Sequence, residues 1–273
     1  MKRVRHMHHA HHHMAVSYPV SLTQRLYTLI LGPLAVVALM AFAVALFPWL
    51  APSGEAVSLG TIVYASLCTL LRLAIAYALA VMVAIPLAIF VTSSPTIESV
   101  FLPVFDILES VPILALFPVI IMIFIQFDFL NGAAVFILFL TMLWNIVFTV
   151  VGGLKIIPKD IMYAARVFGL RGPDLIRRVT IPAIVPQLVT GSILAVAQGW
   201  NLIIVAEVLH TYIPGGTSTQ DLFGIGSILV AAAANAQNSV FIVAVFAIVI
   251  VIALLNFFVW QKLLRYTLRF RFD

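Results

Sequence analysis

Charge is scarce in this chain. Of its 273 residues only 9% are Asp, Glu, Lys or Arg, 63% are hydrophobic, and mean hydropathy is +1.17. No water-soluble domain of this size could carry such a surface, so the composition predicts a polytopic membrane protein. Cysteine is nearly absent as well. Cys68 stands alone in an apolar run, which excludes an intrachain disulfide and a cysteine metal cage. There is no glycine-rich phosphate loop ending in Lys, no close pair of carboxylates within a span, and no Ser or Cys nucleophile beside a base. These absences argue against an enzyme and against ATP hydrolysis by this chain. The formal charge of +5 and pI near 9.6 do not require nucleic acid, because basic residues beside membrane spans have a topological cause.

What the chain has instead is long apolar runs. A helix needs about 20 apolar residues to cross a hydrocarbon core of about 30 Å. Candidates fall at 26–47, 62–91, 113–125, 133–151, 188–209 and 240–260. The third is short, and is extended backward through 97–111 as a helix broken by Pro103, Pro112 and Pro118. The expectation is an all-α polytopic membrane protein of about six transmembrane helices. Its parts are a disordered basic, His-rich tail (1–25), a peripheral first span with an outer loop (26–61), a core (62–260) holding a polar loop (152–186), and a basic tail (261–273). The first span is too long for a signal-peptide core and is read as retained.

Lys and Arg set the orientation. With the amino terminus inside, Lys2, Arg3, Arg5, Arg25, Lys155, Lys159, Arg166, Arg171, Arg177, Arg178, Lys262, Arg265, Arg269 and Arg271 all fall on the cytoplasmic side, and only Arg72 is left over. The opposite loops carry Glu55, Asp128 and Asp221 without Lys or Arg. The segment 92–110 belongs inside although it holds Glu98, Asp106 and Glu109; acidic residues weigh little in the rule. Clustered imidazoles at His6, His8, His9, His11, His12 and His13 can bind metals, but no neighbouring carboxylate orients them, and no metal is assigned.

Between the fourth and fifth runs lies a polar, basic island. Pro158 can open a helix, Asp160 suits the positive end of its dipole, and Gly169 can take the left-handed turn that ends it. A short capped helix is predicted over 161–168. Ala164 and Ala165 would form a smooth patch ringed by Arg166, Arg171, Arg177 and Arg178. A second helix is predicted from Pro173 and Asp174 to an exit at Ile181-Pro182. The plainer alternative is a basic loop that only orients the protein against lipid headgroups.

The run Tyr163-Ala164-Ala165, three residues, Gly169, nine residues, Val179-Thr180-Ile181-Pro182 resembles the cytoplasmic signature loop of bacterial ABC-importer permeases, Glu-Ala-Ala-xxx-Gly-xxxxxxxxx-Ile-x-Leu-Pro. Ala164, Ala165, Gly169 and Pro182 sit in register; Tyr163, Val179 and Ile181 replace Glu, Ile and Leu. Thr69, Arg72, Ile85-Pro86-Leu87, Pro112, Ala115, Pro118, Gly191, Trp200 and Ala206-Glu207 extend the likeness to the permeases of the nitrate, sulfonate, taurine and bicarbonate importer group. The ending 260–273 is similar to that of related permeases found as duplicated chains. Two glycines of that group are Ala76 and Ala88 here.

The resemblance implies a type I importer permease fold in a bacterial inner membrane, multi-pass, with both termini cytoplasmic. It implies ATPase subunits that use ATP and Mg, an extracytoplasmic solute-binding protein, a second permease copy or sister permease, and no cofactor bound by this chain. Coupling to the ATPase would fall to Tyr163, Ala164, Ala165, Arg166, Phe168, Gly169 and Pro182. The implied solute is a small anion such as nitrate, sulfonate, taurine or bicarbonate, and the outer segment 214–238 would help to form a gate, with a short helix near 224–236. The alternative is an ion-coupled secondary transporter or channel, which calls for titratable residues near the midplane and inverted repeats.

Polar groups within the spans are the pathway candidates because each is costly in lipid. They are Arg72, Asn145, Gln198, Asn201 and Glu207. Arg72 either attracts an anion or pairs with Glu207 or a helix carbonyl; the three amides either line a pathway or join helices. Gly191, Ser192, Ala195 and Gly199 have the spacing for close helix packing, within one subunit or across a dimer axis. Trp200 and Trp260 suit a membrane-interface belt.

Overall fold

Small residues recur along one face of the first helix, α1 (Leu59–Val91), and they decide how the bundle closes. Ala65, Ala76, Ala80, Ala84 and Ala88 are all fully buried there. Methyl-sized side chains let a neighbouring backbone approach closely, which substitutes in lipid for the missing hydrophobic drive. Ala76 and Ala88 lie in this seam.

The computed structural model describes residues 58–213 and 215–267. The expected tail (1–25), first span (26–47) and the end of the basic tail fall outside them. The described residues belong to one compact unit. After α1 come α2 (Pro95–Ser110), α3 (Ile113–Gln126) and α4 (Leu130–Lys155); then α5 (Lys159–Val167), α6 (Gly172–Leu175) and α7 (Ile181–Glu207); then α8 (Ile225–Ala234), α9 (Asn238–Leu255) and α10 (Gln261–Thr267). One-turn π-helices at Ile176–Thr180 and Asn256–Trp260 join α6 to α7 and α9 to α10. The described residues outside helices form turns and short 3-10 pieces.

Helix α4 is the centre, packed along α1 on one side and α7 on the other. Half of its apolar window is buried. On α7 the small residues face this partner: a Cβ on Gly191 would lie 2.8 Å from Thr149, and one on Gly199 would strike Met142 and Leu73. Ser192 and Ala195 are buried beside them, so the small-residue stripe packs within the subunit. Trp200 is buried in the same core, away from any interface belt, while Trp260 packs edge-on against Tyr77 at 6.4 Å. By contrast only 11% of the apolar window of α9 and α10 is buried.

Four described stretches are long and apolar enough to cross a membrane: α1, α4, α6 with α7, and α9 with α10. The pair α2 and α3 supplies a fifth if counted as one span, and it corrects the expected helix with three proline breaks. The chain breaks once, at Val111-Pro112, with an 84° bend. Val111 is extended (φ −69°, ψ 122°), as a residue before proline prefers; Pro103 and Pro118 are absorbed inside helices. The second loop helix also differs from expectation. It does not exit at Pro182 but passes through the π-turn into α7, giving one rod of 36 residues; Leu175, Thr180 and Ile181 all keep right-handed helical dihedrals, so the chain stays helical across the junction.

Candidate functional site

The polar island folds as a capped helix that stands off the bundle. Pro158 precedes α5, Asp160 lies in its first turn and Arg166 in its last. At its end Leu170 N–H donates to the Ala165 carbonyl and Gly169 N–H to the Arg166 carbonyl, both at 3.0 Å. This double closure needs a left-handed residue, and Gly169 supplies it at φ +81°. Gly172 makes a second left-handed turn, φ +52°, before α6. The helix does not present both alanines. Ala165 is buried and turned inward, which corrects the smooth two-alanine patch; the outer face is Tyr163 (60% exposed), Val167 (84%) and Phe168 (84%) with Ala164 and Arg166.

At the far end of α7, about 39 Å away by helical rise, the span charges meet. Arg72 Nη1 donates to Glu207 Oε1 at 2.8 Å, its Nε to Asn131 Oδ1 at 2.9 Å and its Nη2 to the Phe223 carbonyl at 3.0 Å. Thr69 Oγ1 donates to the same Glu207 oxygen at 2.7 Å, and Gly226 N–H donates to Oε2 at 2.8 Å. The Ile225 N–H donates to Thr69 Oγ1 at 3.0 Å. Glu207 is fully buried. The network therefore satisfies the free N–H groups that begin α8 while fastening α1, α4 and α7 to it. Glycines make room: a Cβ on Gly224 would collide with the Glu207 carboxylate, and one on Gly226 would lie 2.7 Å from Ile204 Cα. Beyond it, His210 bonds Asp221 through backbone N–H (3.0 Å) and ring Nδ1 (2.8 Å), pinning the connecting loop.

The amides lie elsewhere. Asn145 and Gln198 line a cavity of about 570 Å³ where the α2–α3 elbow meets α4 and α7, together with Glu109, Ser110, Thr141 and Trp144. Asn201 is exposed one turn beyond Gln198 on α7. Four of the five candidates thus split into an ion-pair network (Arg72, Glu207) and a separate cavity (Asn145, Gln198) about 13 Å along α7, and Asn201 belongs to neither.

A family model described as "Binding-protein-dependent transport system inner membrane component" matches residues 80–265. The chain belongs to this family. Its relatives include the nitrate import permease protein NrtB of Leptolyngbya laminosa, 32% identical over 69% of this chain and 63% of that protein. The bicarbonate transport system permease protein CmpB of Synechocystis is 31% identical over 55% and 52%, and the taurine transport system permease protein TauC of Escherichia coli K12 is 24% identical over 52% and 50%. The chain spans less than two thirds of the length of these relatives. As a family member it is an all-helical inner-membrane transport component, and the matched residues run from α1 into α10, taking in α5, the cavity and Glu207.

Sequence reasoning missed Asn131, Phe223, Gly224 and Gly226 in the network, and Trp144 in the cavity. Gly224 and Gly226 carried a signal, two glycines opening an apolar helix after a loop, but their partner Glu207 could not be read from spacing. Val167 was passed over because attention rested on the alanines.

Proposed function

We propose that the protein is the membrane-spanning permease subunit of an ATP-driven importer of a small solute, of the nitrate, bicarbonate and taurine kind named for its relatives. The observation that carries this is the standing-off helix α5: a capped, glycine-terminated helix whose exposed Tyr163, Val167 and Phe168 have no partner surface of their own. A cleft of an ATPase subunit is its occupant, with Ala164, Arg166, Gly169 and Pro182 shaping the contact and Ala165 seating the helix on the permease. A second permease chain and an extracytoplasmic binding protein complete the assembly, and the loop lies on the cytoplasmic face. The alternative, an ion-coupled carrier, is less well supported, since Glu207 is committed to Arg72.

Val167→Asp and Phe168→Asp test the reading. Both positions are largely solvent-exposed, so membrane insertion and amount stay normal while ATPase co-purification falls by about tenfold or more, the loss expected when a buried apolar contact becomes a charge. Undiminished co-purification in both variants overturns the docking role.

A further inference from the structure

We infer that the cavity at the α2–α3 elbow receives the protonated amine of the transported solute, so that the solute is an amine-bearing molecule such as an aminoalkyl sulfonate or amino acid rather than a bare inorganic anion. This rests on the importer reading and deepens it by naming a solute class. The elbow packs midway along α4, itself long enough to cross a membrane. Glu98, near the start of α2, pairs with Lys155 at the end of α4 at 2.5 Å, while the other end of α2 reaches Thr141, Trp144 and Asn145, midway along α4. Broken helices at that depth are where transporters place solute sites.

The charge there has one sign. Glu109 is exposed on the cavity wall, and among the described residues no ion pair or hydrogen bond engages its carboxylate. No Lys or Arg lines the cavity. Arg72, the basic residue of α1, engages Asn131, Glu207 and Phe223 through its three nitrogens in the network described above. An anion alone would enter without a countercharge from the cavity wall and beside a carboxylate of like sign, which disfavours it. A protonated amine meets the opposite conditions. Glu109 and the terminal carbonyls of α2 attract it, the side-chain oxygens of Asn145 and Gln198 accept its protons, and the ring of Trp144, packed against Phe105 at 5.4 Å, offers a cation–π face. The cavity volume of about 570 Å³ suits a small organic molecule and is far larger than a triatomic or tetra-atomic anion needs.

The test is binding to the purified permease itself, without a binding protein, read as the tryptophan fluorescence change lost in Trp144→Phe. The probes are 2-aminoethanesulfonate, ethylammonium, 2-hydroxyethanesulfonate and nitrate. The two ammonium probes are expected to saturate the signal and the other two to leave it unmoved at equal concentration. Glu109→Gln should weaken ammonium binding about tenfold or more, and Glu109→Asp should recover part of it, as for loss of a charged hydrogen-bond partner. Equal or tighter binding of nitrate or 2-hydroxyethanesulfonate, unchanged affinity in Glu109→Gln, or no response to any probe overturns the inference. ATPase co-purification reads the importer function separately, so either idea can fail alone.

Discussion

Glu207 is fully buried, and three donors hold its carboxylate: Thr69, Arg72 and Gly226. Such a site is stable only when complete, since removing one partner leaves the other charge buried and uncompensated at a cost of about 3–5 kcal/mol. Glu207→Gln, and equally Arg72→Gln, should therefore lower the thermal stability of the solubilised protein by that order. A paired replacement, Arg72→Met with Glu207→Leu, should recover most of it. Recovery, followed by thermal unfolding in detergent, identifies a structural pair; two stable single variants with defective transport would instead identify a solute contact. The sequence could name both residues because a charge in a span is conspicuous. It could not choose between pairing and anion attraction, because the partners are 135 residues apart and Asn131 and Gly226 reach them from the first turns of two other helices.

At the scale of elements, the loop from Pro158 to Pro182 was the most legible part, since capping chemistry is local: proline before the helix, an acid in its first turn, glycine after its last. The inward turn of Ala165 was not legible, because which face of a short helix meets the bundle depends on distant packing. Three prolines in one apolar stretch looked equivalent, but only Pro112 makes a break; the others fit within helices that neighbouring side chains hold. The Gly169 turn yields a prediction at this scale. A β-branched residue is strongly disfavoured at φ +81°, so Gly169→Val should cost the turn about 1–3 kcal/mol. No side chain or backbone lies within 4 Å of the space a Cβ would fill, so the effect is conformational, not steric. Membrane amounts should match the unaltered protein while solute-stimulated ATP hydrolysis in the assembled complex is lost; full stimulation would show that the turn does not matter.

For the molecule as a whole, hydropathy located the described spans to within a few residues, and only the stretches of α6 with α7 and of α9 with α10 run well past the apolar limits into polar ends. Which helix would be central was hidden, because α1, α4, α7 and α9 are all apolar and differ in where their small residues face. The overall placement in the membrane can be read directly. In a Cys68→Ser background, Thr219→Cys, on an exposed loop, should react with an impermeant maleimide in intact cells, and Arg171→Cys should react only after lysis. Reaction of position 171 from outside would reverse the orientation and remove the loop from the reach of any ATPase.

The continuity of α6, its π-turn and α7 has a mechanical consequence. A hydrogen-bonded helix is stiff along its axis, and the soft points in this one, the π-turn at Ile176–Thr180 and Pro186, lie in its first half. A shove delivered at the loop end has nowhere further along to dissipate, so it arrives at Glu207 almost undiminished. There the rod is bolted to the start of α8 by a single carboxylate. Either α8 travels with the rod or that fastening shears, and in both cases the far face of the protein is obliged to register what happens at the near one.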